Sequence, residues 1–145
     1  MNLASRWKRF WGAMIDGVIY LGIVVPIMLM NGSFQMALKR EEFTIGQRVI
    51  LFVIGWLVFL ILNGYLLSER GQTIGKVVVK TKIIDMNGKV PNFVKLLVLR
   101  YMAFGFILQI PIVGSIVNFA NILFIFTNDR RCLHDHLAGT RVVDA

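Results

Sequence analysis

Cysteine, acidic residues and charge in general are scarce in this sequence. Its 145 residues include a single cysteine, Cys132, which excludes an internal disulfide and a metal site built from several cysteines. Only 17% of the residues are charged and 57% are hydrophobic, whereas soluble domains are about a quarter charged and about half apolar. Eight acidic residues oppose sixteen basic ones, giving a formal net charge of +8. This composition predicts an integral membrane protein.

Apolar runs divide the chain into four predicted membrane helices, at about residues 10–30, 45–67, 92–110 and 113–126. Roughly 20 residues are needed to cross the hydrocarbon core of a bilayer. The last two runs are separated by a break at Pro111 to Gly114, so they form either short or tilted helices or a buried re-entrant hairpin. Pro26 is expected to bend the first helix or to end it early. The predicted fold is an all-α membrane protein, a four-helix transmembrane bundle in one domain of residues 1–145.

Two polar segments, a loop at 68–91 and a tail at 128–145, complete the chain. In the loop, the β-branched run Thr81–Asp85 predicts a strand, and Asn87-Gly88 is a strong signal for a two-residue hairpin turn. Because one hairpin is marginal in water, we expect Thr140–Asp144 to add a strand to it. The sequence thus predicts a small β-hairpin beside the membrane helices.

Basic residues are distributed unevenly between the two ends of the predicted bundle. Most lie on the side of the N-terminus, the loop and the tail, and Lys39, Arg40 and Arg48 lie on the other side. The positive-inside rule therefore predicts a multi-pass protein of the inner (cytoplasmic) membrane, with the N-terminus and the C-terminus in the cytoplasm. The basic loops would face anionic lipid headgroups of the bilayer. No motif of a nucleic-acid-binding protein accompanies the positive charge, so nucleic acid is not an expected partner.

Several separated motifs together cover nearly the whole chain: Arg9 with Asp16, Gly71–Lys76, Ile83–Gly88, Arg100, and Leu133–Val143. In this order they resemble the RDD family of bacterial membrane proteins. The family is named for one arginine and two aspartates, which correspond to Arg9, Asp16 and Asp135. The chain departs from the family pattern at Lys80, where members often carry glycine, and at His136, where arginine is more usual. The resemblance implies either a transport role, including exchange of small cations for protons, or a supporting role in membrane complexes.

Arg9 and Asp16 lie on one helical stripe but seven residues apart, which is about 10 Å of helix rise. They are too far apart to pair with each other, so each is expected to have its own partner. Arg9, at the interface, suits either a lipid phosphate or Asp135 of the tail. Asp16 lies deeper, at a depth comparable to that of Arg100 in the third helix, and we predict that these two approach each other. The pair would either fix helix packing or hold a cation or proton.

Further polar residues on the membrane helices could form a seam towards Asp16. They are Asn63, Gln109, Ser115, Asn118 and Asn121. Such residues either join helices or line a substrate path. Together Asp16, Arg100, Asn63, Asn118 and Asn121 form the candidate ion or pairing site.

His134-Asp135-His136 does not place three ligands on one face of a helix or a strand, so no metal is predicted there. Cys132 is expected to be an inert thiol. We find no arrangement of residues typical of a hydrolase, kinase or oxidoreductase, so we predict no catalytic residues, no cofactor and no enzyme activity. The first functional hypothesis is a transport-related protein that handles a cation or proton, and we expect it to act as a homo-oligomer because the chain has no internal repeat. The second is a non-enzymatic scaffold or accessory subunit that packs against a partner membrane protein.

Overall fold

The computed structural model describes residues 2–108, 110, 112–127 and 129–145. The chain is mostly helical. Helix α1 spans Arg6–Met30, and the hydroxyl of Ser5 caps it by accepting a hydrogen bond from the backbone N–H of Lys8 at 3.2 Å. Helix α1 continues through Pro26 to Met30, where the predicted span ends, so Pro26 does not end the helix early. A short helix α2, Ser33–Leu38, follows at the far end of the molecule.

Helix α3 spans Ile45–Arg70 and begins with a capping box formed by Thr44 and Gln47. It ends at Gly71, which has the left-handed conformation (φ 62°) that often ends helices. Both α1 and α3 are long and apolar enough to cross a membrane. Their apolar stretches are hardly covered by the rest of the chain, as expected of helices that contact lipid.

The next elements are the five-residue helix α4, Ile74–Val78, and strand β1, Thr81–Asp85. A continuous helical segment then covers 93–108. It consists of α5, Phe93–Lys95, a π-helical stretch, Leu96–Met102, and α6, Ala103–Leu108.

The last helices are α7, Val113–Leu123, with a 3₁₀ turn at Phe124–Phe126, and α8, Leu133–Ala138. Strand β2, Thr140–Asp144, ends the fold. Segment 93–108 and helix α7 are both shorter than the roughly 20 residues of a full span. The predicted break at Pro111, the seam residue Gln109 and the first tail residue, Asn128, lie outside the described residues.

The predicted β-hairpin is wrong in its pairing. β1 pairs antiparallel with β2, with Ile83 opposite Val142, instead of with a strand that follows Asn87-Gly88 directly. The turn itself forms, because the Asp85 side chain accepts hydrogen bonds from the backbone N–H groups of Asn87 and Lys89. The expectation that Thr140–Asp144 joins the loop strand is confirmed.

The N-terminal residues extend this small sheet on the other edge of β2. Leu3 bridges to Val143, and the backbone N–H of Ala4 donates to the carbonyl of Val142 at 3.1 Å. The N-terminus, the loop and the tail therefore meet at one end of the helices. We call residues 2–5, 71–90 and 130–145 together the cap. The buried apolar cluster lies where the cap meets the helices, and its members are Ala4, Leu67, Ile83, Leu96 and Val142.

Candidate functional site

Asp135 is the buried centre of an ionic cluster at the junction of the cap and the helices. Its carboxylate forms ion pairs with the guanidinium groups of Arg9 from α1 and Arg100 from the π-helical stretch. It also accepts a hydrogen bond from the backbone N–H of Cys132 at 3.0 Å, because Asp135 is the third residue of α8 and reaches back to the start of that helix. Of the two partners predicted for Arg9, a lipid phosphate and Asp135, the structure shows the contact with Asp135.

The two arginines make further contacts that fasten the tail to the helices. Arg100 donates to the hydroxyl of Thr140 at 2.8 Å. Arg9 donates to the carbonyl of Arg130 and lies 3.4 Å from the sulfur of Cys132. We call Arg9, Arg100, Asp135 and Thr140 the Asp135 cluster. It connects α1, segment 93–108 and the tail through charge-assisted hydrogen bonds, which are the stronger class.

Burial makes the Asp135 cluster electrostatically important. The side chain of Asp135 is 0% exposed, and those of Arg9 and Arg100 are 7% and 3% exposed. Burial alone would raise the pKa of Asp135, but the charges of Arg100 and Arg9 outweigh it and hold this pKa well below its ordinary value. Asp135 is therefore a carboxylate anion that neutralises one of two buried positive charges.

Asp16 has a different environment, at the start of helix α4. Its carboxylate accepts hydrogen bonds from the hydroxyl of Thr73 at 2.5 Å and from the backbone N–H of Gly75 at 2.6 Å. The side-chain oxygen of Asn63, on α3, accepts from the backbone N–H of Ile74 at 3.0 Å. Side chains of both long helices thus satisfy the first N–H groups of α4, which have no partner within that helix.

The predicted pairing of Asp16 with Arg100 is wrong. Arg100 forms its ion pair with Asp135, and the structure gives no ion pair between Arg100 and Asp16 among the residues it describes. Equal depth along two helices was the basis of the prediction, but depth does not fix the direction in which a side chain points. The partner of Asp16 is a helix N-terminus, where an anion is favoured by the helix dipole.

Helix α4 can reach Asp16 because two glycines let it contact α1 directly. A methyl group added to Gly75 would lie 2.0 Å from the carbonyl oxygen of Gly12, closer than real side-chain carbons ever come. One added to Gly12 would lie 3.1 Å from a methyl carbon of Val79. The backbone contact between Gly12 and Gly75 therefore sets the distance between the loop and α1.

The predicted polar seam does not assemble around Asp16. Asn63 caps α4 beside it, whereas Asn121 accepts from the backbone of His134 at 3.4 Å and lies 2.9 Å from its ring Nδ1. Asn118 and Ser115 are exposed. Of the described residues in the predicted seam, two hold the loop and the tail in place and two face outward.

Cys132, His134 and Asp135 bring potential metal-ligating atoms within 4.8 Å of one another. Both carboxylate oxygens of Asp135 are already engaged by guanidinium groups, whose positive charge opposes a bound cation. Burial and the nearby Arg100 lower the pKa of His134 to about 3, so this side chain is neutral. Burial also raises the pKa of the Cys132 thiol, which disfavours the thiolate that binds metals. The arrangement suits a structural cluster better than a metal site.

A cleft of about 960 Å³ lies between α1, segment 93–108 and the cap. Asp16 and the two arginines of the Asp135 cluster all line it. Its basic lining residues are Arg6, Arg9, Lys76, Arg100 and Arg130, and Asp16 is its one acidic lining residue among those described. The walls between them are largely aromatic and apolar.

The model of the RDD family matches residues 3–139, nearly the whole chain. The chain belongs to the RDD family. RDD proteins are membrane proteins, which agrees with the two apolar helices. No curated protein and no solved structure matches the chain.

The residues that correspond to the RDD name lie at two separate contacts. Arg9 and Asp135 bind each other in the ionic cluster, and Asp16 caps α4. All three hold a polar segment of the chain against the helices.

Proposed function

We propose that this RDD protein is a non-enzymatic scaffold or accessory subunit of the inner membrane. The observation that carries the proposal is that both signature aspartates already have partners within the chain. Asp135 neutralises Arg9 and Arg100, and Asp16 caps α4. Such contacts give the cap a fixed position on the helices, as a surface for other proteins requires.

The proposed topology is multi-pass, with both termini in the cytoplasm. Assembly of the N-terminus, the loop and the tail into one cap supports it, since segments that pair in one sheet must lie on the same side of the bilayer. The lysines and arginines concentrated in that cap favour the cytoplasmic side. A fluorescent reporter that folds only in the cytoplasm should be bright when fused to the C-terminus, and a dark fusion with normal membrane insertion would contradict this topology.

A partner helix, from another protein or a second copy, would pack on the stripe of α1 that runs outward from Gly17, beyond the cleft that Ala13 lines. Small residues such as glycine allow close helix contact, and the space beside Gly17 is open. Leu21 follows on the same stripe and is exposed, whereas the exposed Ile23 points in another direction.

This surface can be tested with a photoreactive amino acid placed at Leu21 or at Ile23 in native membranes. The proposal predicts a crosslinked protein product of discrete mass for the Leu21 position and lipid adducts alone for the Ile23 position. Equal crosslinking at both positions, or none to protein at either, would contradict a partner on this stripe.

Handling of a cation or proton at Asp16 is the second candidate function. The observation in its favour is that Asp16 lines an open cleft. Against it, the cleft carries five basic side chains, which repel cations, and both oxygens of Asp16 accept hydrogen bonds. Ion flux into liposomes separates the two functions. Flux in the wild type that is abolished by Asp16→Asn would favour transport, and absence of flux in the wild type would favour the scaffold.

A further inference from the structure

Among the residues that the structure describes, the lining of the cleft between α1, segment 93–108 and the cap is more basic than acidic. Asp16 is its acidic lining residue, and Asp135 lies behind Arg9 and Arg100. Arg6 also lines the cleft and donates to the carbonyl of Phe126, so its charge is not counted here. Arg9, Arg100, Lys76 and Arg130 carry four positive charges against the two negative ones, which leaves an excess of two. His134, also in the lining, adds none because its pKa is about 3.

Two of these basic side chains are available to a ligand. Within the described part of the chain, the ammonium group of Lys76 makes a single, long hydrogen bond of 3.4 Å to the hydroxyl of Thr73. Arg130 contributes its backbone carbonyl to Arg9. Among the described residues, neither Lys76 nor Arg130 has an ion pair.

The same cleft has an apolar interior. Trp7 and Phe10 of α1 line it, together with Phe59 of α3 and Tyr101 of segment 93–108. A half-open cavity with aromatic walls and a basic rim matches a molecule that has one anionic end and one apolar end. A small hydrophilic anion would leave these walls exposed to water.

A second cavity, of about 320 Å³, lies beside the first along α3. It is apolar and aromatic, with Leu51, Phe52 and Trp56 in its lining. Phe59 and Tyr101 line both cavities, with their ring centroids 4.9 Å apart, so the two cavities are neighbours. The basic cleft therefore adjoins an apolar groove between the helices.

We propose that the cleft binds one anionic phospholipid. Its phosphate contacts Lys76 and Arg130 beside the Asp135 cluster, and one of its two acyl chains lies in the groove along Phe59 and Trp56. Basic side chains between membrane helices are suited to phosphate headgroups because hydrogen bonds between ions are strong where water is excluded. This site is independent of whether the protein acts as a scaffold or as a transporter.

The test is a lipid titration of the detergent-solubilised full chain, followed by native mass spectrometry. The probes are phosphatidylglycerol, zwitterionic phosphatidylcholine, and inorganic phosphate as a competitor. The proposal predicts one tightly bound phosphatidylglycerol per chain, which the double variant Lys76→Gln/Arg130→Gln binds about 100-fold more weakly, since each lost charge-assisted contact weakens binding about tenfold. The double variant Arg70→Gln/Lys89→Gln is the matched control, because it removes two exposed positive charges outside the cleft lining. It should change the affinity less than twofold.

A third variant separates the cleft from general surface charge. Ala13→Leu places a larger side chain in the cleft lining without changing any charge, and it should also weaken phosphatidylglycerol binding. Each variant is first checked for an unchanged melting temperature without lipid, so that loss of binding is not loss of fold. The proposal would be overturned if the cleft and control variants lost the same affinity for phosphatidylglycerol. It would also be overturned if the wild type bound phosphatidylcholine as tightly as phosphatidylglycerol. Displacement of the lipid by inorganic phosphate at equal concentration would identify a site for soluble phosphate and would also overturn it.

Discussion

Asp135→Asn should be among the most destabilising single substitutions in this protein. It keeps the size and shape of the side chain but removes the negative charge between Arg9 and Arg100. These guanidinium groups are 7% and 3% exposed, so water cannot replace the lost carboxylate. Removing one partner of a buried ion pair typically costs about 3–5 kcal/mol, and here two buried arginines lose the same partner. We expect a loss of at least about 3 kcal/mol in the free energy of unfolding.

The assay is thermal unfolding in a mild detergent, followed by tryptophan fluorescence. For a chain of this length, a loss of 3–5 kcal/mol corresponds to a decrease in Tm of roughly 10 °C. Asp144→Asn is the matched control. Its ion pair with Lys8 is exposed, 44% for Lys8 and 40% for Asp144, and such pairs contribute about 0–1 kcal/mol. If Asp135→Asn cost no more than Asp144→Asn, the Asp135 cluster would not hold the cap.

The same substitution should change how stability depends on pH. The pKa of Asp135 is lower in the folded protein than in the unfolded chain, where it is about 3.9. Its carboxylate therefore stabilises the fold fully above the unfolded pKa, and this contribution is lost as the pH falls through the lower folded-state pKa. The wild type should lose stability between about pH 5 and the acid limit, and Asp135→Asn should lose less over that range. Parallel curves for the two proteins would refute this reasoning.

Three further predictions concern the loop. Gly75→Ala should destabilise the protein by about 1–3 kcal/mol through overpacking against Gly12. Its control is Gly64→Ala, in open space within α3, which should be neutral or stabilise by up to about 1 kcal/mol. Equal Tm values for the two variants would argue against the contact between Gly12 and Gly75. Asp16→Ala leaves two donors of the loop unsatisfied, so Tm should fall more than in Asp16→Asn, which keeps one acceptor. Lys80 has a left-handed backbone conformation, φ 54°, so Lys80→Gly should raise the free energy of unfolding by about 1 kcal/mol. A lower free energy of unfolding for Lys80→Gly, measured by denaturant titration, would contradict this.

The left-handed conformation of Lys80 also gives a physical reason for a departure noted in the sequence. Members of the RDD family often carry glycine there, and glycine adopts a positive φ without steric cost. The other departure, at His136, affects an exposed side chain outside the Asp135 cluster. The departure at Lys80 therefore carries a steric cost in the backbone, which the residue type alone does not reveal.

The long helices could be predicted from the sequence because their signals are local. Continuous apolar runs predict α1 and α3, and Ser5 and Thr44 are residues of the type that caps helices. The predicted position of Arg9 and Asp135 at the same end of the bundle makes Asp135 one of the two expected partners of Arg9, and the structure contains that pair. These predictions require only the order of the residues along the chain and the direction of each helix.

The partners of Asp16 and Arg100 could not be obtained in the same way. Charge pairing was assumed, but the donors to Asp16 are the Thr73 hydroxyl and the backbone of Gly75. The available signal was Thr73, a capping residue type two positions before a glycine. Arg100 lies within a π-helical stretch, where the direction of a side chain no longer follows α-helical spacing.

The sheet was mispredicted for a similar reason. A turn signal at Asn87-Gly88 reports a local reversal of the chain, and that reversal is present. It does not report which distant strand completes the pairing. The tail strand β2 lies between β1 and the N-terminal residues, and bringing these three segments together depends on the packing of the helices that separate them in sequence.

The central claim is that Arg100 is coupled to Asp135 and not to Asp16. Double-mutant cycles test it most directly, with Arg100→Met combined with Asp135→Asn in one cycle and with Asp16→Asn in the other. Unfolding free energies in detergent should give a coupling of more than about 1 kcal/mol for Arg100 with Asp135, and less than about 0.5 kcal/mol for Arg100 with Asp16. A large coupling between Arg100 and Asp16, with none to Asp135, would contradict this account.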